Sequence, residues 1–134
     1  MNNFTLTLQS ASRIEVFEDT TAFIGEDASG SFGIRAGHTR FMTLLVVGLA
    51  RFQCHNESWQ YLAVPGAIVY FHDNALILST RRYLLDDDYN RITEALRREL
   101  LAEEEKLQTM KQSLRNMEDE ILKRLWEMGR RDSV

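Results

Sequence analysis

Ala67-Ile68-Val69-Tyr70-Phe71-His72-Asp73-Asn74-Ala75-Leu76-Ile77-Leu78-Ser79 decides the fold of this chain. Two short runs rich in branched and aromatic residues flank His72-Asp73-Asn74, and this pattern predicts a β-hairpin. Working outward, Pro65-Gly66 is a turn pair. Before it, Trp59, Tyr61 and Ala63 alternate with Gln60 and Leu62. Phe41 to Phe52 is a long Leu- and Val-rich stretch broken by Gly48, which predicts two strands with a turn or bulge near the glycine. Phe32 and Ile34 alternate around Gly33, and Gly37 closes that segment. Ala22-Phe23-Ile24 is a short burst ended by Gly25, and Ile14 and Val16 begin another strand. Phe4, Leu6 and Leu8 alternate with Thr5, Thr7 and Gln9, the period of a half-buried strand. Short strands at turn spacing, with no room for a crossover helix, disfavour a parallel α/β sheet. They predict an antiparallel β-sandwich or flattened barrel over residues 1–85.

Composition changes sharply beyond that point. Residues 1–85 hold six of the seven glycines, the only proline and 13 charged residues, whereas the last 49 residues hold 23. Residues 86–128 contain no Gly or Pro and are dominated by strong helix formers. Asp86, Asp87 and Asp88 stand where a helix start favours a cap and negative charge. Gly129, with basic neighbours, reads as the stop. The chain is therefore expected to be α+β, with a sandwich domain at 1–85 and a charged helical tail at 86–134. A heptad register places Thr93, Leu100, Leu107, Leu114, Ile121 and Met128 at one seam position. Leu96, Glu103, Met110, Met117 and Arg124 fall at the other. Eight of these eleven are apolar, so the stripe seeks a partner through an imperfect seam. Glu94–Arg98, Asp119–Lys123, Glu120–Arg124 and Glu127–Arg131 add i,i+4 pairs worth about 0.3–0.5 kcal/mol each. One long helix of about 60 Å at ~1.5 Å per residue and a hairpin bent near Glu103-Glu104-Glu105 both fit this pattern.

Several function classes find no support. A net charge of −4 without clustered Lys/Arg argues against nucleic-acid binding. No apolar run approaches the ~20 residues of a membrane span. Met1-Asn2-Asn3-Phe4-Thr5 lacks the basic and then apolar pattern of a signal peptide. Cys54 is single, so no internal disulfide forms. His38, His55 and His72 have no metal-ligand spacing around them, and no phosphate loop or nucleophile elbow is present. The expectation is a non-catalytic protein with no metal and no obligate cofactor.

The stretch Ala28-Ser29-Gly30-Ser31-Phe32-Gly33-Ile34-Arg35-Ala36-Gly37-His38-Thr39-Arg40-Phe41-Met42 resembles the signature of F-type ATP synthase epsilon subunits. Tyr61-Leu62-Ala63-Val64-Pro65-Gly66-Ala67 and Asn74-Ala75-Leu76-Ile77-Leu78-Ser79-Thr80-Arg81 resemble later strands of that family. Ala36 and Arg40 stand where the family commonly has proline. The tail also lacks the usual small-residue turn between two helices. Together with Trp59-Gln60-Tyr61-Leu62-Ala63, this is most similar to the divergent bacterial form.

The resemblance implies a peripheral rotor subunit on the cytoplasmic face of a bacterial membrane. It would bind a gamma subunit and a ring of c subunits, and couple ion flow to ATP synthesis or hydrolysis. Ser29, Gly30, Ser31, His38, Thr39 and Arg40 are the ring-contact positions it implies. The helical tail is implied to inhibit hydrolysis by reaching the alpha/beta headpiece, with Lys123, Arg124, Arg130 and Arg131 meeting acidic segments there. Some members also bind regulatory ATP. Of that pattern only Asp88 and Arg91 are present, with Asp87 and Ile92 departing from it, so these two are the implied nucleotide positions. A different class, a β-sandwich adaptor oligomerising through a coiled coil, is also consistent with the residues.

Overall fold

The computed structural model describes residues 2–132, and side chains through Arg130. The pairing assigned above to Arg131 therefore lies outside the described side chains. Nine strands come first: β1 (Phe4–Gln9), β2 (Ile14–Asp27), β3 (Gly30–Ile34), β4 (Phe41–Leu45), β5 (Gly48–Cys54), β6 (Trp59–Val64), β7 (Ala67–His72), β8 (Ala75–Thr80) and β9 (Leu84–Asp86). They build a β-sandwich. A long helical segment follows, made of α1 (Tyr89–Ala95), a π-helical stretch (Leu96–Leu101) and α2 (Ala102–Asp132). The hairpin alternative for the tail is thus replaced by continuous helix: no turn residue interrupts this span.

The strands run in the order β1-β8-β7-β4-β2-β5-β6-β9, with β3 beside β2 and β1 also pairing β2. All pairings are antiparallel except β1 with β8. The long chain between those two strands supplies the crossover a parallel pair requires. Ile14–Val16 and Ala22–Ile24 belong to one strand of 14 residues rather than two. Its register shifts between the partners of Phe17 and Thr20, so the first half pairs β1 and the second pairs β3 and β5. Thr20, fully buried at this irregularity, donates its hydroxyl to the Phe17 carbonyl at 2.9 Å. That bond removes the cost of burying the hydroxyl there.

Phe4, Leu6 and Leu8 from β1 meet Phe23, Phe52, Leu62, Val69, Phe71, Leu76 and Leu78 in one core. Phe4 and Phe71 pack edge to face at 5.7 Å. Gly25 is tightly packed in this core: a Cβ there would lie 3.0 Å from the side chains of both Leu45 and Phe32, which would have to give way by a few tenths of an ångström. A second cluster lies on the outer side of β6. Ala63 is buried against Ile92 and Leu100, with Leu49, Tyr61, Leu84 and Leu96 around them. Leu62, Ala63 and Val64 are consecutive buried residues for this reason: one face of β6 meets the core and the other meets the helix. One compact unit accordingly runs through Leu101, and α2 is the other.

Candidate functional site

The outer face of β4-β7-β8-β1 and the first half of β2 carries an apolar band. The cross-strand registers define it row by row. Met42 pairs Tyr70, Tyr70 pairs Ile77, Ile77 pairs Thr7, and Thr7 pairs Val16. The next row is Leu44, Ile68, Ser79, Gln9 and Ile14. Met42 and Leu44 are each 66% exposed, and Ile14, Val16, Ile68 and Ile77 are exposed with them. Single exposed apolar residues are ordinary, but several grouped on one sheet face make it a candidate docking surface. Gln9 donates to Ser79 at 2.7 Å, pairing two polar members of the band with each other. Arg40 caps one end, with its guanidinium 5.5 Å from the Tyr70 ring centre.

Two polar turn clusters lie at opposite ends of β4, as its register shows: Phe41 pairs Phe71, while Leu45 pairs both Ala67 and Asp27. At the Asp27 end, Asp27 Oδ1 accepts from the Ser29 N–H at 2.9 Å and from the Ser29 hydroxyl at 2.6 Å. Its Oδ2 accepts from Thr43 at 2.7 Å. These bonds, the Ser29 hydroxyl foremost, hold the Asp27 carboxyl below the usual carboxylate range. Gly30 ends the turn and Ser31 stands exposed on β3 opposite Glu26.

At the other end, Asp73 and Asn74 both have positive φ, as a two-residue hairpin turn between His72 and Ala75 requires. The Asn74 side chain accepts from the Gly37 N–H at 2.6 Å, and its carbonyl accepts from Thr5. Gly37 can present that N–H because its φ of 80° suits glycine. His38 is exposed, yet its ring packs edge-on against Phe41 and Phe71 at 5.6 and 5.8 Å. Its Nδ1 lies 2.8 Å from the Thr39 carbonyl. The structure therefore gathers Ser29, Gly30 and Ser31 in one place, and His38, Thr39 and Arg40 in another. The length of β4, about 13 Å at ~3.3 Å per residue, separates the two.

Asp88 and Arg91 occupy the start of α1. Asp88 is the N-cap and accepts from the Arg91 N–H at 3.0 Å. The Arg91 guanidinium grips Asp86 with two bonds of 2.8 and 2.7 Å and reaches Asp87 at 3.3 Å. This fork holds the Asp86 carboxyl well below its ordinary range and raises Arg91 in turn. A phosphate arriving at Arg91 would have to displace the bidentate Asp86.

The apolar face was not evident in the sequence as a site. The unbroken apolar run Ala67–Phe71 was its signal, because a strand with one wet face alternates instead. Among the described residues no group of His, Cys, Asp or Glu is arranged to hold a metal ion, and no helix is long and apolar enough to cross a membrane.

Residues 3–85 match the family model described as ATP synthase, Delta/Epsilon chain, beta-sandwich domain. ATP synthase epsilon chain 2 of Cereibacter sphaeroides is 28% identical over 83 residues, covering 61% of this chain and 57% of that one. A chain in the mitochondrial ATP synthase OSCP/F1/c-ring structure of Euglena gracilis superposes with a TM-score of 0.56 at 17% identity, covering 67% of this chain and 59% of that one. A chain in the central stalk/c-ring structure of Tetrahymena thermophila mitochondrial ATP synthase gives 0.53 at 16% identity, covering 60% and 64%. The chain thus spans about three-fifths of the length of these relatives, and the two structures share its fold.

Proposed function

Since the chain belongs to the ATP synthase delta/epsilon family through its β-sandwich domain, we propose that it is the epsilon-type rotor subunit of a rotary ATP synthase. The observation that carries this reading is the exposed apolar band on β4-β7-β8-β1-β2. A gamma-type subunit is the partner proposed for it. In this role the chain performs no chemistry. It transmits torque, and a sheet closed through the β1–β2 and β4–β2 pairings suits a rigid coupler. The polar turns at Ser29-Gly30-Ser31 and His38-Thr39-Arg40 are the proposed contacts to the c-ring, on the membrane-adjacent side of the complex. The tail beyond Leu101 is the proposed brake on hydrolysis, acting on the alpha/beta headpiece.

Leu44→Lys and Met42→Lys test the docking face. Both side chains are exposed, so stability should stay within about 0.5 kcal/mol of the parent. Binding to a cognate gamma subunit, measured by calorimetry, should weaken at least about tenfold, as expected when a charge enters the centre of an apolar contact. Unchanged affinity in both variants would remove the support for this face.

The adaptor reading draws on the exposed stripe of α2. Its charges oppose a parallel homodimer, however. With Leu107 at a core position, Lys106 of one helix would face Lys111 of its copy. Equilibrium sedimentation distinguishes the two readings: the rotor subunit is monomeric alone, and a concentration-dependent dimer favours the adaptor.

A further inference from the structure

We propose that the pocket between the second half of β2 and the start of α1 binds one organic cation, a guanidinium or ammonium group on a short apolar stem. The pocket encloses about 230 Å³. Drug-sized ligands and cofactors occupy roughly 300–1,000 Å³, so this one suits a group the size of a single side chain. It opens on the sheet face turned away from the core. Cross-strand pairs place Ile24, Arg51 and Tyr61 in one row there, and Glu26 lies one step further along β2, on the Leu49 side. Ile24 and Leu49 supply an apolar floor. Tyr61 and Tyr89 form one wall, their rings edge to face at 5.4 Å. In that arrangement one ring keeps both of its own faces clear of the other. The wall stands before any ligand arrives. Asp88 caps α1 directly before Tyr89, and the Arg91 fork holds Asp86, which pairs Tyr61.

Charge decides the class of occupant. Glu26 and Arg51 are the two charged residues of the lining, on neighbouring strands, yet they do not pair. The Arg51 guanidinium lies 4.7 Å over the Trp59 ring, and Trp59 aligns with Gln53, on the far side of Arg51 from Glu26. Among the described residues the Glu26 side chain has no ion pair or hydrogen bond. A carboxylate without a partner thus faces two tyrosines across an apolar floor. Beside those tyrosines stand Asp86, Asp87 and Asp88, with Arg91 answering Asp86 and Asp87. Two strand spacings, about 10 Å, separate β2 from β6, which leaves room for one cation between carboxylate and ring. A cation there donates a charge-assisted hydrogen bond to Glu26 and is drawn to a tyrosine face, while its stem covers Ile24 and Leu49. A phosphate meets the opposite field. Ser31 borders the pocket on the β3 side, while Ser29 and Gly30 lie outside it. The pocket therefore adjoins the turn proposed for ring contact and shares only Ser31 with it.

The test is a titration of the full chain with butylguanidinium, followed by backbone amide shifts in nitrogen-15 spectra. Butylurea, its uncharged counterpart of the same shape, is run beside it. Butylguanidinium should bind with a dissociation constant of millimolar order and move the amides of Gly25, Leu49 and Ala50. Butylurea should bind at least about tenfold more weakly, and added salt should weaken the cation alone. Glu26→Gln should weaken the cation at least about tenfold, and Tyr89→Leu about threefold. Both side chains are exposed, so both variants should melt near the parent. A peptide with one arginine among glycines then separates two sources of the same cation. Tighter binding than butylguanidinium assigns it to an arginine of a partner chain, and weaker binding assigns it to a small molecule. Equal affinity for butylguanidinium and butylurea overturns the proposal, as does full affinity in Glu26→Gln or a titration that leaves the pocket amides unmoved. The result is independent of the rotor reading, whose test lies on the Met42–Leu44 face.

Discussion

At the scale of single residues, the Asp86–Arg91 fork ties the last strand to the first helix, and its pH dependence has a definite sign. A carboxyl whose folded value lies below its unfolded value of about 3.9 adds stability above that value and loses it as pH falls further. The thermal midpoint should therefore drop below about pH 4, and Asp86→Asn should lower it at neutral pH while flattening that acid slope. A scan of midpoint against pH between the two proteins checks this. Asp27, held low by Ser29 and Thr43, adds a slope of the same sign that the substitution leaves in place. Cys54 behaves differently. It is buried with its sulfur 4.0 Å from the Thr20 hydroxyl, and burial pushes its thiol up to about 11. It should resist alkylation at mild alkaline pH until the chain unfolds, as a timed thiol assay with and without denaturant would show. That silence makes a cysteine placed at Ser29 or at Thr39 a clean cross-linking probe of whether either turn meets a c-ring, as proposed.

Among the elements, the helix covering β6 is the least expected. Leu100 is 1% exposed although it lies well past Leu85, the last residue of the family match. Leu100→Ala should cost about 2–5 kcal/mol, read as a lower urea midpoint for the sandwich. A tail that merely hung from the domain would show no such loss. Strands with one buried face were legible in the sequence, as Phe4, Leu6 and Leu8 were, because alternation reports burial directly. The continuity of β2 was not, since Glu18 and Asp19 interrupt its apolar pattern where the register shifts. Strand β9 was hidden because Leu84-Leu85-Asp86 joins an aspartate run that suits a helix start. Only Asp88 of that run became the cap. The two turns were legible from their glycines, while their proposal as ring contacts came from the resemblance alone. Their division between two ends of β4 depends on long-range pairings such as Asp27 with Leu45, which local sequence does not encode.

For the whole molecule, the consequential question is where the working unit ends. Composition breaks near residue 86, but the compact unit ends at Leu101. The difference is physical: Ile92, Leu96 and Leu100 cover Ala63, Leu49 and Leu84, which would otherwise face water. A chain cut after Leu85 loses that cover, the third residue of β9 and the Asp86–Arg91 fork together. It should fold poorly or aggregate through β6. A chain cut after Leu101 keeps all three and should melt as one cooperative unit, close to the full-length midpoint. The shorter cut therefore confuses loss of fold with loss of braking, whereas the longer cut isolates α2. If α2 restrains hydrolysis, complexes assembled with residues 1–101 should bind gamma as tightly as the full chain and hydrolyse ATP faster. Steady-state ATPase rates at equal gamma occupancy measure this. Equal rates would confine α2 to some role other than braking, and weaker gamma binding would move part of that interface beyond Leu101.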